Sequence, residues 1–173
     1  GKKLGCGAFT EPGCGSDLSA IRASAKRDGD AYILNGEKMW ISLASKADYV
    51  LVAMRTNKVT AKPSQGLSTF IVDLHSPGVT RGDIHGKLGV RAGSTGWINF
   101  QDVRAPLENR IGEEGEGFKI TMSAFDHGRY TVGSGATGLI HAALEASVKY
   151  SQERTTFGRA ISEHQLIQEK IAR

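Results

Sequence analysis

The stretch Phe9-Thr10-Glu11-Pro12-Gly13-Cys14-Gly15-Ser16-Asp17 gathers hydroxyls, glycines and a proline where neither helix nor strand can form. Gly13 and Gly15 bring bare backbone close to a ligand, and successive N–H groups can make a nest for an anion. Thr10 and Ser16 add hydroxyls, so the segment suits a pyrophosphate and the polar edge of a heterocycle. A plain surface loop would use the same residues. A second group is Asn35-Gly36-Glu37-Lys38-Met39-Trp40-Ile41-Ser42. In a strand, Trp40 and Ser42 share a face, so the indole can stack on a flat ring while the hydroxyl bonds a ring nitrogen. An ordinary core tryptophan is the competing reading. The third group is Glu153-Arg154-Thr155-Thr156-Phe157-Gly158-Arg159, followed by Ile161 and Gln165. Arg154 can fork onto a phosphate with help from Thr156, and Phe157 can stack or merely pack. Here the competing reading is a charged connection between two helices.

Gly133-Ser134-Gly135-Ala136-Thr137-Gly138 matches G-x-G-x-x-G, which would make the chain a nicotinamide-dependent dehydrogenase using Gly133, Gly135 and Gly138. That mechanism needs a long buried strand before the glycines and an acidic residue after a second strand. Asp126-His127-Gly128-Arg129 is poor material for such a strand, and Ser151-Gln152-Glu153-Arg154 is polar and helical. The favoured reading puts these glycines inside a helix, where they let another helix approach; each costs about 1 kcal/mol relative to Ala. Ala92-Gly93-Ser94-Thr95-Gly96 misses the first glycine of a nucleophile elbow. The five histidines show no paired spacing on one helix face, so no metal site is expected.

The elements that must hold these groups come in two textures. Strands are expected over 21–27, 31–34, 37–42 and 49–56, antiparallel, with Asp28-Gly29 and Asn35-Gly36 as hairpin turns. Further strands are expected over 67–74, 79–84 and 97–103, with a loop over 57–66. Many short strands with regular turns suggest a sandwich or barrel. After the acidic linker Glu113-Glu114-Gly115-Glu116-Gly117, the period becomes helical from Phe118 to about Arg154. Ile120, Ala124, Leu139, Ala143 and Val148 fall on one face. Residues 155–161 break the pattern, and a second helix begins near Ser162, where Ser162 and Gln165 fit a capping box. The expected fold class is α+β: an antiparallel β-barrel or sandwich-like domain over 1–112, then helices of a truncated bundle over 113–173.

The chain has 173 residues, 39% of them hydrophobic, and a net charge of +4. This supports a real core. The charge mildly favours an anionic partner, but the basic residues are scattered and no nucleic-acid patch is expected. No apolar run approaches the ~20 residues of a membrane span. Cys6 and Cys14 read as free thiols of a reducing compartment. The last residues stop in mid-pattern without a cap, so the chain is expected to be a piece of a longer protein.

Taken together and in order, the motifs resemble the acyl-CoA dehydrogenase family. The matching residues are Thr10-Glu11-Pro12 with Gly15-Ser16-Asp17, then Asn35-Gly36, Lys38 and Trp40-Ile41-Ser42, then Phe125-Asp126 with Arg129, then Glu153-Arg154, Phe157-Gly158, Ile161 and Gln165. The resemblance covers essentially the whole chain and corresponds to the middle β domain and the start of the C-terminal helical domain. It implies FAD as cofactor and an acyl-CoA thioester as substrate, dehydrogenated between its α and β carbons to the trans-2-enoyl-CoA. It implies that Phe9, Thr10 and Gly15 meet the flavin, and that Ser16 touches both its pyrophosphate region and the acyl-CoA. Trp40, Ile41 and Ser42 would flank the isoalloxazine, and Asp126 and Arg129 would line the acyl-CoA channel. Arg154, Thr156, Phe157 and Gln165 would grip the ADP half of FAD on a neighbouring subunit, which makes a homo-oligomer, as a tetramer, part of the cofactor site.

In such proteins the catalytic base is usually a Glu on a late helix, expected beyond Arg173, so no catalytic residue is assigned in this chain. Gly128 precedes Arg129, which does not support the variant with a base in that stretch. Ser42 stands where many relatives carry Thr, and it keeps the hydroxyl. Electron-transfer flavoprotein is the expected acceptor, with an oxidase that uses oxygen as the alternative. A bacterial cytoplasm and a mitochondrial matrix both fit.

Overall fold

The computed structural model describes residues 1–58 and 60–173. Backbone contacts divide the chain into two compact units, Gly1–Ala124 and Phe125–Arg173. The α+β expectation holds. The first unit carries one sheet of eight strands, and the sheet does not close into a barrel.

The strands are β1 Gly5–Ala8, β2 Ser24–Asp28, β3 Ala31–Ser42, β4 Tyr49–Arg55, β5 Leu67–Asp73, β6 Val79–Asp83, β7 Thr95–Pro106 and β8 Arg110–Ile111. Their order is β6-β7-β3-β2-β4-β5-β8, with β1 beside β4. Two expectations are corrected here. β4 does not continue the antiparallel run: it meets β2 in parallel at Ser24 and Arg55, and β1 runs parallel to it from Gly5 to Ala8. Asn35-Gly36 is not a turn, because β3 runs through it as one strand of 12 residues. Leu34 faces Val103 and Gly36 faces Phe100, so Asn35 stands opposite two residues of β7 in a bulge. The Asn35 amide donates to Asp102 Oδ1 at 2.9 Å, and Asp102 N–H donates back to Asn35 Oδ1 at 3.0 Å. Side-chain pairing thus replaces the turn that the dipeptide usually signals. Gly36 has φ +137°, and a Cβ there would lie 2.5 Å from Ala23 Cβ, so β2 is drawn tightly against the bulge.

Alternation along the strands builds the core. Tyr32, Leu34 and Ile41 of β3 pack with Val50, Val52 and Met54 of β4, Phe70 and Val72 of β5, and Ile98, Phe100 and Val103 of β7. A smaller cluster of Leu18, Ile21, Ala53 and Leu67 receives Phe9 and Cys14 from the bend before β2. Both cysteines are free.

Helix α1 spans Gly117–Glu153 without a break. It therefore runs through Gly133, Gly135 and Gly138, which removes the strand that a nicotinamide-binding fingerprint needs and overturns that reading. In the second unit, Tyr130, Val132, Leu139, Ile140 and Leu144 of α1 are exposed. Of the expected apolar face, Leu139 and Ala143 are exposed within this unit and Val148 is half-buried. The break after α1 is a small hairpin, β9 Thr155–Thr156 against β10 Arg159–Ala160. Its two-residue tip, Phe157-Gly158, has φ +50° and +78°, both positive as a type I′ turn requires. Helix α2 spans Gln165–Ala172 and is capped by the His164 backbone, with no side-chain cap bond. The expected capping box is therefore not formed. Ser162 lies instead in a 3-10 turn, Ile161–Glu163, and its carbonyl accepts from Gln168 Nε2 at 2.8 Å.

Candidate functional site

The bend over residues 9–17 is fixed from below by a buried ion pair. Lys38 is fully buried, and its ammonium donates to Glu11 Oε1 at 2.8 Å and to the Phe9 carbonyl at 3.2 Å. Glu11 also accepts the backbone N–H of Arg22 at 2.8 Å and of Ala23 at 3.0 Å. Burial pulls the Lys38 pKa below the ordinary lysine value, and the Glu11 carboxylate opposes that shift. Glu11 and Cys14 close the bend with two backbone bonds, Glu11 N–H to the Cys14 carbonyl at 2.9 Å and Cys14 N–H to the Glu11 carbonyl at 3.2 Å. Both oxygens of the Glu11 carboxylate are thereby engaged in holding the loop. Sequence reasoning had noted both residues and missed their partnership.

The same bend meets β3 through its backbone. Met39 N–H donates to the Thr10 carbonyl at 2.9 Å, one residue before Trp40. A Cβ on Gly15 would lie 3.9 Å from Thr10 Cγ2, so the glycine pair and Thr10 stay together. Thr10, Gly15 and Ser16 are thus brought beside the strand that carries Trp40 and Ser42. Phe9 is placed differently: a Cβ on Gly7 would meet its ring at 2.8 Å, and the ring packs into the smaller core cluster.

Trp40 is itself a bulge. Met39 pairs with Trp97 and Ile41 with Gly96, which leaves Trp40 without an opposite residue on β7. Its φ is +63°, a left-handed conformation that costs an L-residue about 1–2 kcal/mol. Trp40 is 60% exposed although it lies within the sheet's longest pairing, two residues from the end of β3. Strain and an exposed aromatic ring thus coincide at one residue. Ser42 is exposed on the same stretch, while Ile41 between them is 3% exposed and packs in the core. The Ile41 side chain is therefore a core element, and only its backbone is available to a ligand.

The remaining residues singled out in the sequence lie in the second unit. Asp126 and Arg129 face solvent on one side of α1, with Arg129 Nη1 3.8 Å from Asp126 Oδ1. Arg154 follows the end of α1, and its carbonyl accepts Ile161 N–H at 2.8 Å, which closes the base of the hairpin. Thr156 Oγ1 lies 3.2 Å from His164 Nε2, and Phe157 is 97% exposed at the hairpin tip. Gln165 opens α2 and is exposed. Among the described residues no group of His, Cys, Asp and Glu could hold a metal ion.

Two family models match the chain. Residues 6–103 match the acyl-CoA dehydrogenase middle domain, and residues 115–173 match the acyl-CoA dehydrogenase C-terminal domain. The mouse short-chain specific acyl-CoA dehydrogenase, mitochondrial, is 42% identical over 99% of this chain and 41% of its own length. The chain therefore spans under half the length of the curated relatives it matches. A solved structure described as the electron transferring flavoprotein of Acidaminococcus fermentans superposes with a TM-score of 0.91 at 42% identity, over 99% of this chain and 45% of that one. A glutaryl-CoA dehydrogenase of Mycobacterium smegmatis in complex with FADH2 superposes with a TM-score of 0.86 at 35% identity, over 98% of this chain and 42% of that one. With both domain models matched in order and the identity spread over nearly every residue, the chain belongs to the acyl-CoA dehydrogenase family.

Proposed function

We propose that this chain is the central part of an FAD-dependent enzyme that dehydrogenates an acyl-CoA thioester between its α and β carbons. The observation that carries the reading is Trp40: a strained, exposed indole raised at a bulge, with the Thr10 bend bonded beside it and an exposed hydroxyl at Ser42. These residues fit a flavin. The indole offers a face for the tricyclic ring, Ser42 a bond to its edge, and Thr10, Gly15 and Ser16 donors for its pyrimidine side and pyrophosphate. When bound, flavin supplies the hydride acceptor, while the protein orients and excludes water. Arg154, Thr156, Phe157 and Gln165 take the ADP half of a neighbouring subunit's FAD, which makes a tetramer part of the site.

Asp126 and Arg129 line the acyl-CoA channel. The base is assigned to a Glu outside these residues, since Glu11 is held by three bonds and Asp126 faces Arg129. The names of the curated relatives favour a short acyl chain, and the Acidaminococcus structure favours electron-transfer flavoprotein as acceptor. The domain boundary proposed at 112/113 is supported by the gap between the stretches that the two family models match, while the compact units divide twelve residues later, after Ala124. A mitochondrial matrix or a bacterial cytoplasm is the proposed setting. Among the described residues no helix is long and apolar enough to cross a membrane.

The test is made on the full-length protein. Purified, it should be yellow with the absorption of oxidised flavin, and adding a short-chain acyl-CoA should bleach it. Comparing electron-transfer flavoprotein with oxygen as acceptor separates dehydrogenase from oxidase. A colourless protein that takes up no added FAD overturns the reading.

A further inference from the structure

Beside the hairpin of the second unit, at the cap of α2, stands a histidine that no site assignment so far uses. His164 Nδ1 lies 3.1 Å from Arg159 Nη2, and its Nε2 lies 3.2 Å from Thr156 Oγ1. A guanidinium has donors and no acceptor. Nδ1 must therefore accept from Arg159, and an Nδ1–H would set donor against donor. The single proton of the neutral ring then sits on Nε2 and points at Thr156. The bond runs from ring to hydroxyl, and Thr156 Oγ1 is the acceptor.

The consequence falls on Thr156. Its hydroxyl carries one hydrogen, and the contact with His164 does not need it, so that hydrogen is free to be donated elsewhere. The surroundings hold this arrangement. Phe157 lies edge-on to the His164 ring, with centroids 6.3 Å apart and planes at 79°. The positive φ values at Phe157 and Gly158 fix the short hairpin that sets the Thr156 backbone. Arg154, two residues before Thr156, brings a permanent cation to the residue just ahead of strand β9.

We infer that His164 is a positioning residue: as the Nε2–H tautomer it turns the Thr156 hydroxyl into a dedicated donor for a phosphate group. The inference rests on the reading above, which supplies that phosphate as the pyrophosphate of FAD. The role assigned to His164 needs no contact between its ring and the ligand. It acts by setting the direction of one hydroxyl, and Arg159 acts by setting the tautomer of His164.

The experiment uses full-length protein, with nitrogen-labelled histidine for long-range proton–nitrogen spectra and stripped apoprotein for FAD and FMN titration. The expected spectrum places the His164 proton on Nε2. Thr156→Val and His164→Phe should each weaken FAD about tenfold, as loss of one bond to a charged group implies. The double variant should lose no more than either single one. FMN, which lacks the adenylate half, should bind all variants equally, whereas general damage to the fold would lower both ligands. His164→Gln, which restores an amide donor, should recover most of the loss. An Nδ1–H tautomer in a protein that holds FAD normally overturns this inference alone, as do losses that multiply in the double variant. A protein that takes up no FAD overturns both this role and the reading beneath it.

Discussion

Lys38 and Glu11 are 27 residues apart in sequence and 2.8 Å apart in space, with the ammonium wholly out of solvent. The pair joins the bend before β2 to the strand that carries Trp40. Two charges removed from water are held only by each other and by fixed backbone donors. Lys38→Met should therefore cost about 3–5 kcal/mol, because it strands the Glu11 carboxylate. Lys38→Met combined with Glu11→Gln removes the stranded charge and should cost less than the single change. Urea unfolding of the three proteins measures this, and a loss below about 1 kcal/mol for Lys38→Met would contradict the account.

Trp40 should behave in the opposite way. Its left-handed backbone opposes folding by about 1–2 kcal/mol, and glycine relieves that at a chain-entropy cost of about 0.5–1 kcal/mol. Its indole, 60% exposed, contributes little burial. Trp40→Gly should leave unfolding free energy within about 1 kcal/mol of the parent while flavin retention falls sharply. Denaturant curves on apoprotein, with flavin absorbance on the purified protein, read the two separately. A stability loss near that of a core tryptophan would show that the residue is there for packing.

Much of this was legible from residue types, and what escaped depended on tertiary contact. β2 announces itself by alternation, β4 by its apolar run, the start of β3, β5 and β7 as short strands between turns and loops, and α1 by its period. β1 did not, since Gly5-Cys6-Gly7-Ala8 has weak strand propensity and is held by parallel pairing to β4. Asn35-Gly36 misled because its local preference for a turn is overridden by pairing with Asp102 and close approach to Ala23. The Trp40 and Ser42 pair was readable as one face. The bulge that strains Trp40 was not, because it arises from register against Trp97 and Gly96. Lys38 stood out only as one of the residues that carry the family resemblance, since nothing in its neighbours tells that a carboxylate from the bend reaches it.

Asp83 gives a pH signature. Its carboxylate accepts the Ser94 hydroxyl at 2.8 Å and the Ser45 hydroxyl at 2.9 Å, tying the end of β3 to the start of β7. The Ser94 bond first, then the Ser45 bond, holds its pKa below the ordinary aspartate value of about 3.9. In the window below that value the unfolded chain binds the proton and the folded one does not. The stabilisation is therefore full above the ordinary value and is lost as pH falls through the folded value. Asp83→Asn should flatten the acid limb of the stability curve, and Asp48 and Asp73, held low by the N–H groups of Leu4 and His75, should retain part of the slope. Urea midpoints at about pH 3 and about pH 6 measure it, and an unchanged acid limb would exclude the serine bonds as the cause.

The same substitution should have opposite signs at two glycines. Gly36 lies at a positive φ with Ala23 pressed against it, so a methyl group there must push Cα and Cβ atoms that stand 2.6 Å and 2.5 Å away. Gly36→Ala combines left-handed strain with overpacking and should cost about 2–4 kcal/mol. Gly135 lies mid-way along α1, where an added Cβ meets no atom of its own unit within 4 Å. There the backbone is an ordinary helix and glycine only weakens it, so Gly135→Ala should add about 1 kcal/mol in the 173-residue chain. Because the glycines report on different units, the first is read by loss of tertiary signal from the sheet and the second by far-ultraviolet helix melting. Matching losses at both positions would mean that the helix, too, is tightly covered at Gly135, and the exposure of Val132 and Leu139 would then have to be abandoned.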